Sequence, residues 1–97
     1  QSHTYTRTHE LFNDFVTELV KADRVIMLPI YAAREENISG VTSLQLVEAI
    51  EKKGIETKFF ETPEASAKFI KESVGPDEVV VVMGAGPVTE VAKLLTE

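Results

Sequence analysis

The chain has 97 residues, of which 43% are hydrophobic and 27% charged, and it contains no cysteine. These values predict one small globular domain, residues 1–97, and exclude a disulfide framework or a thiolate metal site. The net charge of −6 argues against a nucleic-acid partner, whose binding surface needs a basic face. No apolar run approaches the roughly 20 residues that span a bilayer, so we expect a cytoplasmic protein with no membrane partner.

A first helix is predicted between Thr8 and Ala22, after a polar loop at 1–7. The apolar residues of this helix recur with helical spacing and form one stripe: Leu11, Phe12, Phe15, Val16, Leu19 and Val20. The apolar segment 24–30 is then predicted as a strand. Pro29 places the far end of that strand beyond the central hydrogen-bond ladder.

A second helix is predicted from its capping residues. Thr42 and Gln45 have the spacing of a capping box, so the helix begins there and runs to about Lys53. Gly54 is the expected C-terminal stop. Residues 55–60 are then predicted to form a short strand.

A third helix is also predicted from its first residues. Thr62 fits the N-cap and Pro63 the first helical position, and the helix ends before Gly75. In the strand that precedes this helix, Phe59 and Phe60 must point to opposite faces, because side chains alternate along a strand.

The stretch from Glu78 to Met83 contains four consecutive valines. Such a run predicts a strand buried on both faces, as in parallel sheets that helices cover on both sides. The glycines at 84 and 86 give a tight turn into a last helix that begins at Pro87. The turn would leave helical N–H groups free for an anion, although an ordinary strand-to-helix turn is the simpler interpretation.

The elements alternate in the order α-β-α-β-α-β-α, which predicts right-handed βαβ units and a parallel sheet. We expect a three-layer α-β-α, Rossmann-like fold, with strand 24–30 in the middle between strands 56–60 and 78–83. The topological switch point then brings the loop 31–40 opposite the turn 84–86, where a small ligand would bind. Since domains of this type begin with a strand, the first strand of a parent domain is predicted to be missing, and the chain to be a fragment.

Four short motifs along the chain occur together in one known family. The first is Gln1-Ser2-His3-Thr4-Tyr5-Thr6-Arg7, and the second is Tyr31-Ala32-Ala33-Arg34-Glu35. The other two are Ile38-Ser39-Gly40 and Gly84-Ala85-Gly86. In this order, and over essentially the whole chain, they resemble the C-terminal domain of the Mur ligases. The first is similar to that family's Gln-Pro-His-x-Tyr-(Ser/Thr)-Arg, and the second to its Tyr-(Ala/Pro)-Ala-(Gly/Arg)-Glu.

The resemblance implies a ligase that couples ATP cleavage, with Mg²⁺, to amide formation in peptidoglycan synthesis, and so in cell-wall growth, cell shape and cell division. Within the family, the chain looks most like the members that join L-alanine to UDP-N-acetylmuramate through an acyl phosphate. Such enzymes have three domains, and the C-terminal one closes over the others. Its groups would act by orientation and charge stabilisation more than by proton transfer, so no catalytic residue is assigned.

The same resemblance assigns the candidate site residues. Arg7 matches the motif arginine and would contact a carboxylate or phosphate, for which its planar fork of donors is suited. Substrate contacts are implied at six motif positions: His3, Tyr5, Arg7, Tyr31, Arg34 and Glu35. Nucleotide or anion contacts are implied at Gly84, Ala85 and Gly86. No metal ligand is predicted.

Some features depart from the family pattern. Ser2 stands where the family has proline, Thr4 replaces a basic residue of several members, and Pro87 follows the glycine turn in place of Asp or Asn. The family's Gly-Lys-(Thr/Ser) phosphate loop, carbamylated lysine and magnesium ligands have no counterpart in these 97 residues. The resemblance therefore implies that this chain alone binds no cofactor and does not turn over substrate.

A second interpretation stays open: a non-enzymatic flavodoxin-like module, excised or designed, that binds a phosphorylated ligand or nothing. A parent gene with an upstream Gly-Lys-Thr loop favours the ligase, and a native reading frame that starts near Gln1 favours the module. In either case the missing strand leaves an unpaired sheet edge, which predicts a homodimer or a swapped form.

Overall fold

The protein is a mixed α/β domain with one small parallel sheet. The computed structural model describes residues 1–32, 35–37, 39–84 and 86–96. Its elements are α1 (Tyr5–Glu10), α2 (Phe12–Leu19), β1 (Arg24–Met27), α3 (Ser43–Glu51), β2 (Glu56–Phe59), α4 (Pro63–Ser73) and α5 (Thr89–Leu95). β1 and β2 pair in parallel, from Arg24 opposite Glu56 to Met27 opposite Phe59. None of the helices in these ranges is both long and apolar enough to cross a membrane.

Helices lie on both faces of the two-stranded sheet, because the side chains of β1 alternate between two apolar clusters. Val25 and Met27 are buried on one face with Leu46 and Ile50 of α3. Ile26 packs on the other face against the cluster that α4 and α5 form. Apolar clusters that include helical residues therefore lie on both faces of the two strands.

The aromatic pair at the end of β2 divides between the same two faces. Phe59 packs with the first cluster, and Phe60 packs with the second, where its ring lies 5.2 Å from that of Phe69. The prediction that the two rings point to opposite faces is confirmed.

Two helices begin where their capping residues predict. Thr42 and Gln45 form a complete capping box, in which the Gln45 N–H donates to the Thr42 hydroxyl over 3.3 Å and the Thr42 N–H donates to the Gln45 amide oxygen over 3.1 Å. Thr62 caps α4 by accepting from the Ala65 N–H, and Pro63 is the first helical residue. Both predictions depended on contacts within one turn, which the local sequence determines.

The predicted first helix, from Thr8 to Ala22, is wrong at its start and in its continuity. The helical segment begins at Tyr5, because the Thr4 hydroxyl accepts from the Arg7 N–H and caps a turn that composition alone does not reveal. It is interrupted at Leu11, where the backbone leaves helical geometry with φ −109° and ψ 19°. Two short helices, α1 and α2, therefore replace one long helix.

The strand predicted at 24–30 is shorter, since its ladder with β2 covers only Arg24–Met27. The Phe60 N–H still donates to the Met27 carbonyl, but Pro29 offers no N–H with which to continue. The Leu28 carbonyl accepts instead from the hydroxyl of Ser43 at the start of α3, over 2.7 Å.

The prediction of a buried strand at 78–83 is wrong. This valine segment is not a strand, and Val79 and Val81 are 89% and 73% exposed. The reason is that no strand of the described residues pairs with it, so only Val82 packs against the second cluster. Among the described residues, β1 pairs with β2 alone, so strand 24–30 is not the middle strand that the sequence predicts. The full Rossmann layout is not confirmed.

Candidate functional site

Gln1 joins the segment after β1 to the glycine turn. The Gln1 side-chain amide donates to the Pro29 carbonyl over 2.8 Å and accepts from the Val88 N–H over 3.1 Å. The Gln1 backbone nitrogen donates to the Met83 carbonyl over 2.9 Å. One residue therefore joins the segment just before the loop 31–40 to the residues on either side of the turn 84–86.

The first and second motifs are paired through their backbones. The Tyr31 N–H donates to the Ser2 carbonyl over 2.8 Å, and the Thr4 N–H donates to the Tyr31 carbonyl over 2.6 Å. This makes an isolated parallel bridge between His3 and Tyr31, whose rings lie 5.4 Å apart at an angle of 42°. Two segments nearly thirty residues apart in sequence thus form one local unit.

The glycine turn needs its glycines for close approach. Gly84 has φ +143°, and a Cβ there would lie 2.9 Å from the Gln1 carbonyl oxygen. A Cβ on Gly86 would overlap the ring of Tyr31. Tyr31, the first residue of the predicted loop 31–40, therefore packs against Gly86 of the turn 84–86.

The sequence predicts free N–H groups after the turn, but in the structure these groups have acceptors within the chain. The Val88 N–H donates to the Gln1 side chain, and the N–H groups of Thr89 and Glu90 donate to the carbonyls of Gly86 and Pro87. Since Glu90 also adds a carboxylate to this first turn, the start of α5 offers an anion little attraction.

Ser2 has a partner of its own in place of the family's proline ring. The Ser2 hydroxyl hydrogen-bonds the hydroxyl of Thr8, which is fully buried and also donates to the Thr4 carbonyl over 2.7 Å. Thr4 itself has φ +63°, a left-handed conformation uncommon for a threonine. These bonds connect Ser2, Thr4 and Thr8 at the start of α1.

Glu35 is bound to the start of α1. The Thr6 N–H donates to Glu35 Oε1 over 3.1 Å, and the Thr6 hydroxyl donates to Oε2 over 2.7 Å. The hydroxyl of Thr6, and then its N–H, hold the pKa of the Glu35 carboxyl below its ordinary value. At neutral pH the carboxylate is therefore ionised, and both of its oxygens already accept hydrogen bonds from the chain.

The remaining predicted positions differ in their surroundings. Arg7 is exposed, and no carboxylate of the described ranges lies within ion-pair distance of it. Tyr5 is half-buried at the first residue of α1. Arg34 and Ala85, also predicted as contacts, lie outside the described residues.

A cavity of about 290 Å³ opens at this end of the sheet. Tyr31 lines it, together with Gln1, Pro29, Glu61 and Pro87. Sequence reasoning missed Gln1 and Glu61 as site residues. Gln1 begins the first motif, which was a signal for it, whereas Glu61 has no such signal.

A larger cavity, about 340 Å³, lies between α4 and α5 and away from the motifs. Two lysines and two glutamates line it, Lys68 and Lys71 with Glu64 and Glu72. The formal charges of these four side chains sum to zero.

A metal ion finds no ready site in the described ranges. They contain no group of three His, Cys, Asp or Glu side chains placed to hold one. Glu35, the one carboxylate of the two paired motifs, already accepts two hydrogen bonds from Thr6. These residues therefore do not fit Mg²⁺.

The motif resemblance is matched by comparison with known proteins. A family model described as "Mur ligase, glutamate ligase domain" matches residues 3–86 of the chain. The chain therefore belongs to the Mur ligase family, and it corresponds to the C-terminal domain of the family's members.

Its relatives within the family include UDP-N-acetylmuramate–L-alanine ligases from several bacteria. The enzyme of Mesorhizobium japonicum is 42% identical over 96 residues, that of Methylococcus capsulatus 41% over 98, and that of Agathobacter rectalis 38% over 93. The matches cover 98%, 100% and 96% of this chain, but only 21%, 21% and 20% of the relatives. The chain thus spans about a fifth of the length of the curated relatives it matches.

Proposed function

We propose that this chain is the C-terminal lobe of an ATP-dependent ligase that joins L-alanine to UDP-N-acetylmuramate in peptidoglycan synthesis in the cytoplasm. The observation that carries this proposal is the match of ligases with that printed name along 96% to 100% of the chain. The lobe closes over the rest of the parent protein, which holds ATP and Mg²⁺. By itself the lobe turns over no substrate.

In the proposed reaction, the carboxylate of UDP-N-acetylmuramate takes the terminal phosphoryl group of ATP, and ADP leaves. The amine of L-alanine then attacks the acyl carbon, the carbon–oxygen bond to phosphate breaks, and inorganic phosphate leaves as the nitrogen loses a proton and the amide forms. Both steps concentrate negative charge on phosphate and carboxyl oxygens, which a fixed cation stabilises.

Arg7 is the residue of this chain that we propose as that cation. Its guanidinium is exposed, and no ion pair within the described ranges occupies it. Its backbone belongs to the first turn of α1, which Thr4 caps. An arginine on a fixed turn can meet a carboxylate or phosphate through two parallel hydrogen bonds when the lobe closes.

The paired motifs form the surface that accompanies Arg7. His3, Tyr5 and Tyr31 are half-buried, so each keeps part of its side chain accessible. Nucleotide contact at 84–86 remains part of the proposal, but it would use the outer surface of the turn, since the N–H groups of Val88, Thr89 and Glu90 have acceptors within the chain. Mg²⁺ would be held by the parent's other domains.

The test is a steady-state assay of the full-length parent, following phosphate release with each substrate omitted in turn. We expect release to require both UDP-N-acetylmuramate and L-alanine. Arg7→Ala should lower kcat/KM by about 100-fold, as loss of one fixed charge-stabilising group does. The control is Lys53→Ala, which removes an exposed positive charge just beyond α3 and should leave turnover unchanged. Release that does not need L-alanine would contradict the proposal.

A titration of the 97-residue chain separates the lobe from the alternative of a free-standing binding module. ATP, UDP-N-acetylmuramate and L-alanine are added one at a time to labelled protein, and amide shifts are recorded by NMR. As a lobe that needs its parent, the chain should give a dispersed spectrum without shifts. If the amide signals of Arg7, Tyr31 and Gly84 shift when one phosphorylated ligand is added without the other substrates, the result would favour the module.

A further inference from the structure

Both carboxylate oxygens of Glu35 accept hydrogen bonds from one residue, Thr6, although 29 positions separate the two in sequence. One bond comes from the Thr6 N–H and the other from its hydroxyl, over 3.1 Å and 2.7 Å. The pair therefore restrains the backbone of Thr6 as well as its side chain. Glu35 is itself held, because its N–H donates to the Ala32 carbonyl over 3.0 Å.

Glu35 supplies α1 with a hydrogen-bond acceptor and a negative charge at its first turn. A helix of six residues has little stability of its own, and its first N–H groups need acceptors from outside the helix. α1 has no acidic residue in its first turn, where a negative charge is favourable. Thr4 accepts from the Arg7 N–H, and Glu35 accepts from the Thr6 N–H and adds the missing charge.

Arg7 is the residue whose position depends on this arrangement. It follows Thr6 directly, so the bonds that fix the Thr6 backbone also fix the direction in which the Arg7 side chain leaves the helix. The Arg7 side chain is exposed, whereas the carboxylate of Glu35 faces α1. Arg7 and Glu35 thus have different surroundings: the Arg7 side chain faces solvent, and the Glu35 carboxylate faces the chain.

We propose that Glu35 is a positioning residue, which holds the first turn of α1 and thereby fixes where Arg7 meets the anionic part of the substrate, without touching the substrate itself. This inference rests on the proposed function, in which Arg7 is the contact. It reassigns Glu35 from the substrate contacts that the motif resemblance implies.

The experiment is a double-mutant cycle in the full-length parent, with Glu35→Ala, Arg7→Ala and the two together. Glu35→Ala alone should lower kcat/KM about tenfold, because a contact that is misplaced by a fraction of an ångström loses part of its effect. In the Arg7→Ala background it should change kcat/KM by less than about twofold, since the two residues act as one unit. Glu36→Ala is the control, because Glu36 is the exposed neighbour in the same loop.

Two kinetic outcomes would overturn the inference. If the losses multiply in the double variant, Glu35 contacts the substrate independently of Arg7. If Glu35→Ala behaves like Glu36→Ala while Arg7→Ala is impaired, then Glu35 has no role in placing Arg7, although the proposed function stands.

A second readout does not depend on the ligase reaction. Amide hydrogen exchange over 5–10 should accelerate at least about tenfold in Glu35→Ala and stay unchanged in Glu36→Ala, because the first turn opens when its acceptor is lost. Thr6→Val removes the hydroxyl bond alone and should give an intermediate rate. If the parent does not ligate L-alanine but exchange over 5–10 still accelerates in Glu35→Ala, the result supports the role of Glu35 in holding α1 and overturns only the proposed function. Unchanged exchange in Glu35→Ala would overturn the inference whatever the activity.

Discussion

The ring of Tyr31 lies against Gly86 so closely that no larger residue fits there. A Cβ built on Gly86 would lie 2.8 Å from Tyr31 Cε2, a separation that real Cβ atoms do not show. We therefore expect Gly86→Ala to displace either the ring or the turn, and to lower the free energy of unfolding by about 1–3 kcal/mol, as overpacking does. Urea unfolding of the 97-residue chain measures the change.

Gly75→Ala is the matched control for this substitution. The nearest atom to a Cβ on Gly75 is Glu78 Oε1 at 3.7 Å, an ordinary contact, and its φ is not in the left-handed region. The control should change the free energy of unfolding by no more than about 0.5 kcal/mol. Equal losses in the two variants would mean that the contact with Tyr31 is not what requires glycine at 86.

Stability should fall at acid pH because two carboxylates are bound by the folded chain. The hydroxyl and N–H of Thr6 lower the pKa of Glu35 from its ordinary 4.5, and the Gly75 N–H, followed by Arg24, lowers the pKa of Glu78 from the same value. A folded-state pKa below the unfolded one means that the unfolded chain binds protons more readily. The stabilisation is therefore complete above pH 4.5 and is lost as the pH falls through the folded-state pKa values.

Unfolding measured from about pH 6 down to about pH 3 tests this assignment, since carboxylates titrate there. Glu78→Gln and Glu35→Gln should each make the fall in unfolding free energy shallower. Glu36→Gln should keep the full slope, because Glu36 is exposed and makes no hydrogen bond within the described ranges. A slope that none of the three changes would assign the acid sensitivity to other groups.

Features that depend on contacts within one helical turn could be predicted from the sequence. Thr42 with Gln45, and Thr62 with Pro63, identify two helix starts because the capping bonds join residues three apart. The Thr4 cap escaped prediction, since it requires a backbone at φ +63° that no threonine adopts by preference. That one conformation moved the start of the first helix to Tyr5.

Features that depend on distant partners could not be predicted from residue patterns alone. The two hydrogen bonds between Thr6 and Glu35 join the first turn of α1 to the loop after β1, and neither stretch of sequence contains a sign of the other. The motif resemblance assigns Arg7, Tyr31 and Glu35 to one candidate site, but it does not distinguish the exposed Arg7 from Glu35, whose carboxylate Thr6 binds. That distinction depends on tertiary contacts.

The valine segment illustrates why apolar runs predict burial only when something covers them. Val81 is 73% exposed, whereas Val82 packs partly against the second cluster. We expect Val82→Ala to lower the free energy of unfolding by about 1 kcal/mol, and Val81→Ala to change it by less than about 0.5 kcal/mol. Urea unfolding of both variants measures the difference. Equal and large losses would mean that a neighbour covers both faces of the segment in solution.

Exposed valines beside an open sheet edge also predict self-association of the 97-residue chain. Among the described elements, β1 has a strand partner on one side only. Val79 and Val81 are exposed, and they follow Glu78, which forms an ion pair with Arg24 of β1 over 2.7 Å. Unpaired edges and apolar patches both promote pairing with another chain.

Sedimentation equilibrium over a range of concentrations tests this homodimer. The unmodified chain should dimerise as concentration rises, and the double variant Val79→Lys with Val81→Lys should remain monomeric, because two like charges at the contact repel their copies in the partner. Leu44→Lys is the control, since Leu44 is 54% exposed but lies on α3. It should dimerise like the unmodified chain. If Leu44→Lys abolishes the dimer as well, the contact lies on the helical face and not at the valine segment.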